Sequence, residues 1–259
     1  MTPDNLLPDT ANLPQLLQQI APGAVRSELS PLPGSYSNFT CLLHTEAATG
    51  DVRRFALRRY AVFGNYDRGE KARREFKTLQ LLHANGIPVP VPVYLDDSGS
   101  LLGSPGIVTQ YVPGSLIFTP TDPIPWAQKL AAALAQVHAI SCAAAHRDFL
   151  LDANNEATWF IRGGHIPEAM RTHAEGMRVW QIVYEIWLRL QASPPALVHL
   201  DYWSGNILWH QAEIAGIVDW EEAACGDPGI DIGYARMDMV LLGSAAGAAP
   251  SRRRLPGCL

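Results

Sequence analysis

Between Leu197 and Asp231 the chain reads LVHLDYWSGNILWHQAEIAGIVDWEEAACGDPGID, and His199, Asp201, Asn206 and Asp219 follow in the order H-x-D-x4-N…D. No other stretch restricts the fold as strongly, because the apolar runs between these residues dictate how they meet. ILW and IAGIV read as two short strands joined through His210 to Glu213. A hairpin centred between Ala212 and Glu213 sets 206 opposite 219, 208 opposite 217 and 210 opposite 215. Asn206 and Asp219 then lie side by side. The tip lacks the Asn-Gly or Asp-Gly pair of a two-residue turn, so a longer symmetric loop about the same centre is expected. An amide oxygen beside a carboxylate suits Mg²⁺, which takes hard oxygen ligands, keeps several waters and shares itself with phosphates. Asp201 precedes the hairpin and faces the same space, where its carboxylate can accept a proton from an attacking hydroxyl. His199 ends an apolar run and is expected to hold the Asp201 loop by packing and backbone bonding.

The rest of the chain has two textures. After a polar, proline-punctuated start with an amphipathic piece at Leu13 to Ile20, the runs FTCLLHT (39–45) and RRFALRRY (53–60) flank a turn at Ala48 to Asp51. Asp67 and Glu70 form a capping box, Ala72, Phe76, Leu79 and His83 recur at helical spacing, and Gly86 marks the stop. Pro88, Pro90 and Pro92 force an extended segment, followed by the strand-like VPVYLDD and GIVTQYV. Beyond Pro113-Gly114 the pattern turns helical: Trp126, Leu130, Leu134 and Val137 make one stripe, and Val179, Ile182, Val183, Ile186 and Leu190 another. Strands, a helix, strands, then helices enclosing a small hairpin make an α+β chain in two lobes. The expected division is 1–112, rich in strands, and 113–259, mainly helical.

Composition narrows the class. At 259 residues, 47% hydrophobic and 17% charged, the chain is globular and long enough to bury a core without disulfides or structural metals. A net charge of -5 argues against general nucleic-acid binding. Cys41, Cys142, Cys225 and Cys258 form no C-x-x-C pair and no secreted disulfide framework, and the chain begins without a signal-peptide pattern. The longest apolar stretch, Leu130 to Ala145, is too short for a membrane span. The expectation is a soluble, cytoplasmic protein with no membrane or nucleic-acid partner; the pattern sets no oligomeric state.

The stretch at 197–231 resembles the catalytic loop and metal-binding segment of the aminoglycoside phosphotransferase and choline kinase family, whose fold is protein-kinase-like. H-L-D-Y-W-S-G-N stands where protein kinases have H-R-D-x-x-x-x-N, and D-W-E where they have D-F-G. G-D-P-G-I-D matches the Gly-Asp-Pro-x-x-Asp run of the aminoglycoside group. The resemblance covers roughly residues 30 to 240 and is specific at 197–231. It implies that Asp201 is the catalytic base, that Asn206 and Asp219 hold Mg²⁺, and that the γ-phosphoryl of ATP, or of GTP, moves to a hydroxyl of a small molecule. Asp227 and Pro228 read as a helix N-cap and first turn; Asp231 either orients the loop or touches the acceptor.

Such a site also needs a cation on the phosphates and a carboxylate to position it. Lysines are scarce, and none lies in the strand before the capped helix. Arg58 is therefore the candidate, with Arg59 on the opposite strand face. Glu75, at the margin of the helix's apolar face, is its expected partner. Ser35 and Asn38, in L-P-G-S-Y-S-N, are candidate donors to phosphate oxygens, and Gln110, Tyr111 and Val112 form the expected hinge for the nucleotide base. No G-x-x-x-x-G-K-[ST] occurs, so this is not a P-loop chain. Residues 199–238 hold eight acids and one base, Arg236. That surplus is compatible with a cationic acceptor and equally with solvated Glu221 and Glu222. Only 40 residues follow Asp219, whereas the resemblance implies several more helices, so the chain reads as C-terminally shortened. On that account a nucleotide-binding protein without catalysis is the alternative. A metal-dependent hydrolase would use the same His and Asp, but further His-rich clusters are missing.

Overall fold

Two alternating runs separated by a tight turn can pair only with one face in and one face out, and they build the centre of a sheet. In the computed structural model, which describes residues 10–32, 38–62, 67–143, 146–191 and 193–245, β2 (Phe39–Ala47) pairs antiparallel with β3 (Val52–Arg59). With β1 (Ala24–Pro31), β4 (Pro92–Asp96) and β5 (Gly106–Gln110) they form an antiparallel sheet in the order β1-β2-β3-β5-β4. Cys41, Leu43, Phe55, Leu57 and Val108 bury one face against Leu16 and Ile20 of α1 (Leu13–Ile20), the amphipathic piece read from the sequence. By strand alternation, Ala56 and Arg58 then lie on the other face.

Across that other face runs α2 (Arg68–Ala84). The Asp67 carboxylate accepts from the Gly69 and Glu70 amides at 2.7 and 3.2 Å, as the capping box requires. The helix ends before Gly86, whose φ of 75° favours glycine. Ala72, Leu79 and Leu82 join Ile107 in a core that continues without a break into Leu130, Leu134 and Val137 of α3 (Pro123–His138) and Trp220. His83, placed on the apolar stripe by its spacing, is exposed instead.

After α3 come β6 (Leu151–Asp152), α4 (Ala153–Arg162), α5 (Glu168–Thr172), α6 (Gly176–Trp187) and β7 (Ala196–Val198). The hairpin β8 (Ile207–His210) and β9 (Glu213–Ile217), then β10 (Ala224–Gly226) and α7 (Gly229–Ala245), complete the described part of the chain. β10 pairs with both β6 and β7. Among the described residues no helix is long and apolar enough to cross a membrane.

Three sequence expectations need correction. The hairpin closes through two residues, Gln211 and Ala212, both left-handed at φ 49° and 64°. That is the backbone a two-residue turn demands, adopted without Asn or Gly. Lys129 of α3 supplies the missing stabilisation, donating to the Ala212 carbonyl at 2.7 Å. A register shift between Leu208 and Trp209 then sets Asn206 against Val218, whose amide donates to the Asn206 carbonyl at 2.9 Å.

The second correction concerns α6, which buries Gly176 and Trp180 and leaves Val179, Ile182 and Ile186 exposed; Leu190, also exposed, lies past its end. Its polar residues, Arg178, Gln181 and Glu185, fall on one side, so the helix is apolar round most of its circumference. The third is that Cys142 and Cys225 form a disulfide.

Candidate active site

Buried partners fix the backbone that leads into the Asp201 loop. β7 delivers His199, which is fully buried; its amide donates to Asp231 Oδ2 at 2.8 Å, and its Nε2 lies 2.9 Å from the Val218 carbonyl. That bond assigns the proton to Nε2 and leaves Nδ1 to accept from the Asp201 amide at 3.3 Å. The His199 ring also packs on Trp220, with centroids 4.2 Å apart. Leu200 is left-handed, φ 67°, and is held there because its amide donates to Asp231 Oδ1 at 2.9 Å. Asp231, with no exposed surface, also meets His138 Nε2 at 3.0 Å. Asp231 therefore orients the loop. Asp227, at the start of α7, accepts from the Gly229 amide at 2.7 Å, as an N-cap does.

The loop then brings three predicted side chains together. Asn206 donates through Nδ2 to the Asp201 carbonyl and to its Oδ2, each at 2.9 Å, so neither bond uses its amide oxygen. Burial pushes the Asp201 carboxyl above its ordinary range and nearby Asp219 adds to this, while His199 and the Asn206 bond pull the other way. A side chain at Gly205 would place its Cβ 2.3 Å from the Trp203 ring, so the ring packs there on the bare glycine backbone. Ser204 is fixed by Asp238, Oγ to Oδ2 at 2.8 Å. Asp219, two residues past the end of β9, is itself left-handed at φ 70°, a conformation that Asp tolerates better than most residues.

Opposite stands Arg58, pointing from β3 into the same cleft. Its Nη2 bonds Asp219 and also Glu221 Oε2 at 3.1 Å. Its Nε lies 3.4 Å from Glu75 Oε2, an ion pair by distance whose alignment is too poor for a hydrogen bond. Burial works against the Arg58 charge, but Asp219, Glu75 and Glu221 outweigh it and hold the guanidinium protonated. Glu75, 3% exposed, also accepts from the Tyr60 hydroxyl and from the Trp220 amide at 3.3 Å. Its carboxyl is nonetheless pushed up to about 7, chiefly by burial, because Arg58 is shared with Asp219 and Glu221.

A cleft of about 340 Å³ is lined by Arg58, Glu75, Gln110, Tyr111, Val112, Asn206 and Asp219, seven of the residues singled out by the sequence. Two hinge amides are committed to the fold: Gln110 donates to the Val91 carbonyl at 2.8 Å and Tyr111 to the Arg54 carbonyl at 3.0 Å. The third hinge residue, Val112, lines the same cleft. Asn38 has a different post from the one expected. Its Nδ2 donates to Glu221 Oε2 at 2.7 Å and its Oδ1 accepts from the Ala61 amide at 3.3 Å, so its amide is committed to the fold instead of to phosphate. Ser35 lies outside the described residues.

Spacing alone did not reveal Tyr60, Lys71, Trp220 or Glu221. Tyr60 shares a strand face with Arg58, two residues away, and Lys71 precedes Glu75 by one helical turn; those were the available signals. Lys71 Nζ meets Glu222 Oε1 at 2.7 Å and Glu221 Oε1 at 3.5 Å. Arg58 and Lys71 thus face four carboxyl groups, those of Glu75, Asp219, Glu221 and Glu222. Among the described residues no group of three His, Cys, Asp or Glu side chains is gathered round a metal position. One carboxylate and one amide oxygen fit an ion that keeps waters and is completed by phosphates.

The pattern of the phosphotransferase enzyme family matches residues 28–255. Acyl-CoA dehydrogenase family member 10 of Mus musculus is 26% identical over 173 residues, 62% of this chain but 16% of that protein. The chain thus spans about a sixth of that curated relative. Among solved structures, a Ralstonia eutropha protein provisionally described as an aminoglycoside phosphotransferase superposes with a TM-score of 0.68 at 17% identity. That match covers 96% of this chain and 74% of the other. The GDP and kanamycin complex of APH(2'')-IIIa gives 0.63 at 17%, over 92% and 83% of the two chains. The streptomycin and ATP complex of APH(2'')-IIa gives 0.59 at 16%, over 93% and 82%. At these identities the likeness is one of fold, and that fold is the protein-kinase-like one.

Proposed function

Because this chain belongs to the phosphotransferase enzyme family, we propose that it moves the γ-phosphoryl group of ATP, or of GTP, to a hydroxyl of a small molecule. The observation that carries this reading is the convergence on one cleft of Arg58, paired with Glu75, and of Asp219 and Asn206, with Asp201 bonded to Asn206. Arg58 binds phosphate oxygens as a planar fork. Asn206 and Asp219 would hold Mg²⁺, whose charge neutralises the phosphates when bound. Asp201 orients the acceptor hydroxyl and takes its proton, and the Asn206 amide keeps that carboxylate in place. Positioning and electrostatics supply most of the acceleration in such a transfer. Val112 meets the nucleotide base through its backbone.

Amine-bearing antibiotics of the kind present in the neighbouring complexes, and amino alcohols, are the acceptors to try first, because the acids of 199–238 favour a cationic partner. Asp201→Asn should lower acceptor-dependent ADP release by at least a thousandfold, on the order of the loss of a catalytic base, while the thermal shift with Mg·ATP persists. Full turnover by that variant would sink the assignment. The alternative reading is a nucleotide-binding protein without transfer. It predicts the thermal shift without ADP release for any acceptor.

A further inference from the structure

Glu221 is a single residue of the segment after β9, yet its partners all come from before residue 75. Its Oε2 accepts from Asn38 Nδ2 at 2.7 Å, at the entry to β2, and from Arg58 Nη2 at 3.1 Å, on β3. Its Oε1 faces Lys71 Nζ at 3.5 Å, and its backbone carbonyl accepts from Arg74 Nη1 at 2.7 Å, both on α2. The residue is 8% exposed. A carboxylate so far from water is tolerable only when its oxygens are matched, and here both face side-chain donors. That leaves Glu221 engaged as an organiser and not free as a base. Arg58 Nη2 is shared between Asp219 and Glu221. If Asp219 turns toward another cation, Glu221 and Glu75 still hold the guanidinium in the cleft.

We propose that Glu221 is a positioning residue for nucleotide binding: it fixes Arg58 and ties β2, β3 and α2 to the loop that carries Asp219. The inference rests on the phosphotransferase reading, and goes beyond it by naming the residue through which Arg58 and α2 are set. Lys71 serves the same end from α2, one turn before Glu75 on the same face.

The test joins binding to a readout that needs no nucleotide. Titration calorimetry with Mg²⁺ and the β,γ-imido analogue of ATP should show Glu221→Gln weakening binding about tenfold, the scale of one buried charge-assisted bond. For any acceptor turned over, KM for ATP should rise by the same factor, with kcat changed less than about threefold. In an Arg58→Met background the Glu221→Gln change should add less than about twofold, because it acts through Arg58. Side-chain nitrogen NMR of the ligand-free protein should show hindered Arg58 guanidinium rotation in the wild type and free rotation in Glu221→Gln. Unchanged analogue affinity, additive losses, or unchanged Arg58 signals each overturn the proposal. A folded wild type that binds no analogue overturns the phosphotransferase reading instead, and the Arg58 signals then decide Glu221 alone. Should Glu221→Gln fail to fold, Lys71→Met carries the test: about a threefold weakening is expected, and no change overturns the role given to Glu221 and α2.

Discussion

Glu75 shows how one side chain's burial becomes a property of the whole protein. Burial pushes the Glu75 carboxyl up to about 7 from 4.5, and Asp219 and Glu221 add to this while Arg58, which also serves those two, offsets only part of it. The unfolded chain releases this proton first, and between those values the folded state binds more protons. Stability must therefore fall as pH rises from about 4.5 to about 7 and level off above, as far as this group decides it. Urea midpoints taken from pH ~5 to ~8 should show that decline in the wild type and a flatter profile in Glu75→Gln. An unchanged slope would mean that Glu75 does not titrate there. At the same scale, strand alternation put Arg58 and Arg59 on opposite faces of β3, and the fold decided which face meets the cleft. Arg58 enters the cleft, whereas Arg59 stacks over Phe39 with its guanidinium 5.5 Å from the ring. Asn38 was not open to such reasoning, since its partner Glu221 lies 183 residues away.

Among the elements, the β8–β9 hairpin shows what local signals cannot supply. Gln and Ala are poor residues for a turn with two left-handed positions, each costing about 1 kcal/mol there. Lys129, 83 residues upstream of the tip, reaches over to secure it. Replacing Gln211→Asn and Ala212→Gly together should raise stability by about 1 kcal/mol, read from urea denaturation. A loss would show that the native side chains hold the tip by contacts of their own. By contrast α2 declared its start through Asp67 and Glu70, and α1 its span through its apolar spacing. Helix α6 kept its period, but which part of its broad apolar arc is buried was set by contact with α5 and by the Trp180 anchor.

At the scale of the molecule, the two parts share one core, and a disulfide fastens the far side of the loop that carries Asp201. β7, which leads into His199, pairs with Ser141 along one edge and with β10 along the other. Cys142 and Cys225 join those two neighbours across 83 residues. Closing a loop of that length contributes about 2–4 kcal/mol, largely by restricting the unfolded chain. Denaturation with and without a dithiol reductant should show a loss of that order, and Cys142→Ser should be insensitive to the reductant. Equal stability in both conditions would mean that the bridge adds nothing.

The sequence by itself determined what depends on neighbours along the chain. It set the strand pair β2–β3, the capped helix, the opposite faces of Arg58 and Arg59 on β3, and the ordered run from His199 to Asp219 with its family signature. Those features follow from periods of two and 3.6 residues, from caps, and from fixed spacing. Tertiary structure alone decided that Asn206 stands against Val218, that Asn38 serves Glu221, that Cys142 meets Cys225, and that α6 leaves much of its apolar arc uncovered. Each of these joins groups far apart in the chain. Such partners are chosen by which buried charges and apolar surfaces the closed fold brings within reach, and no local pattern records that choice.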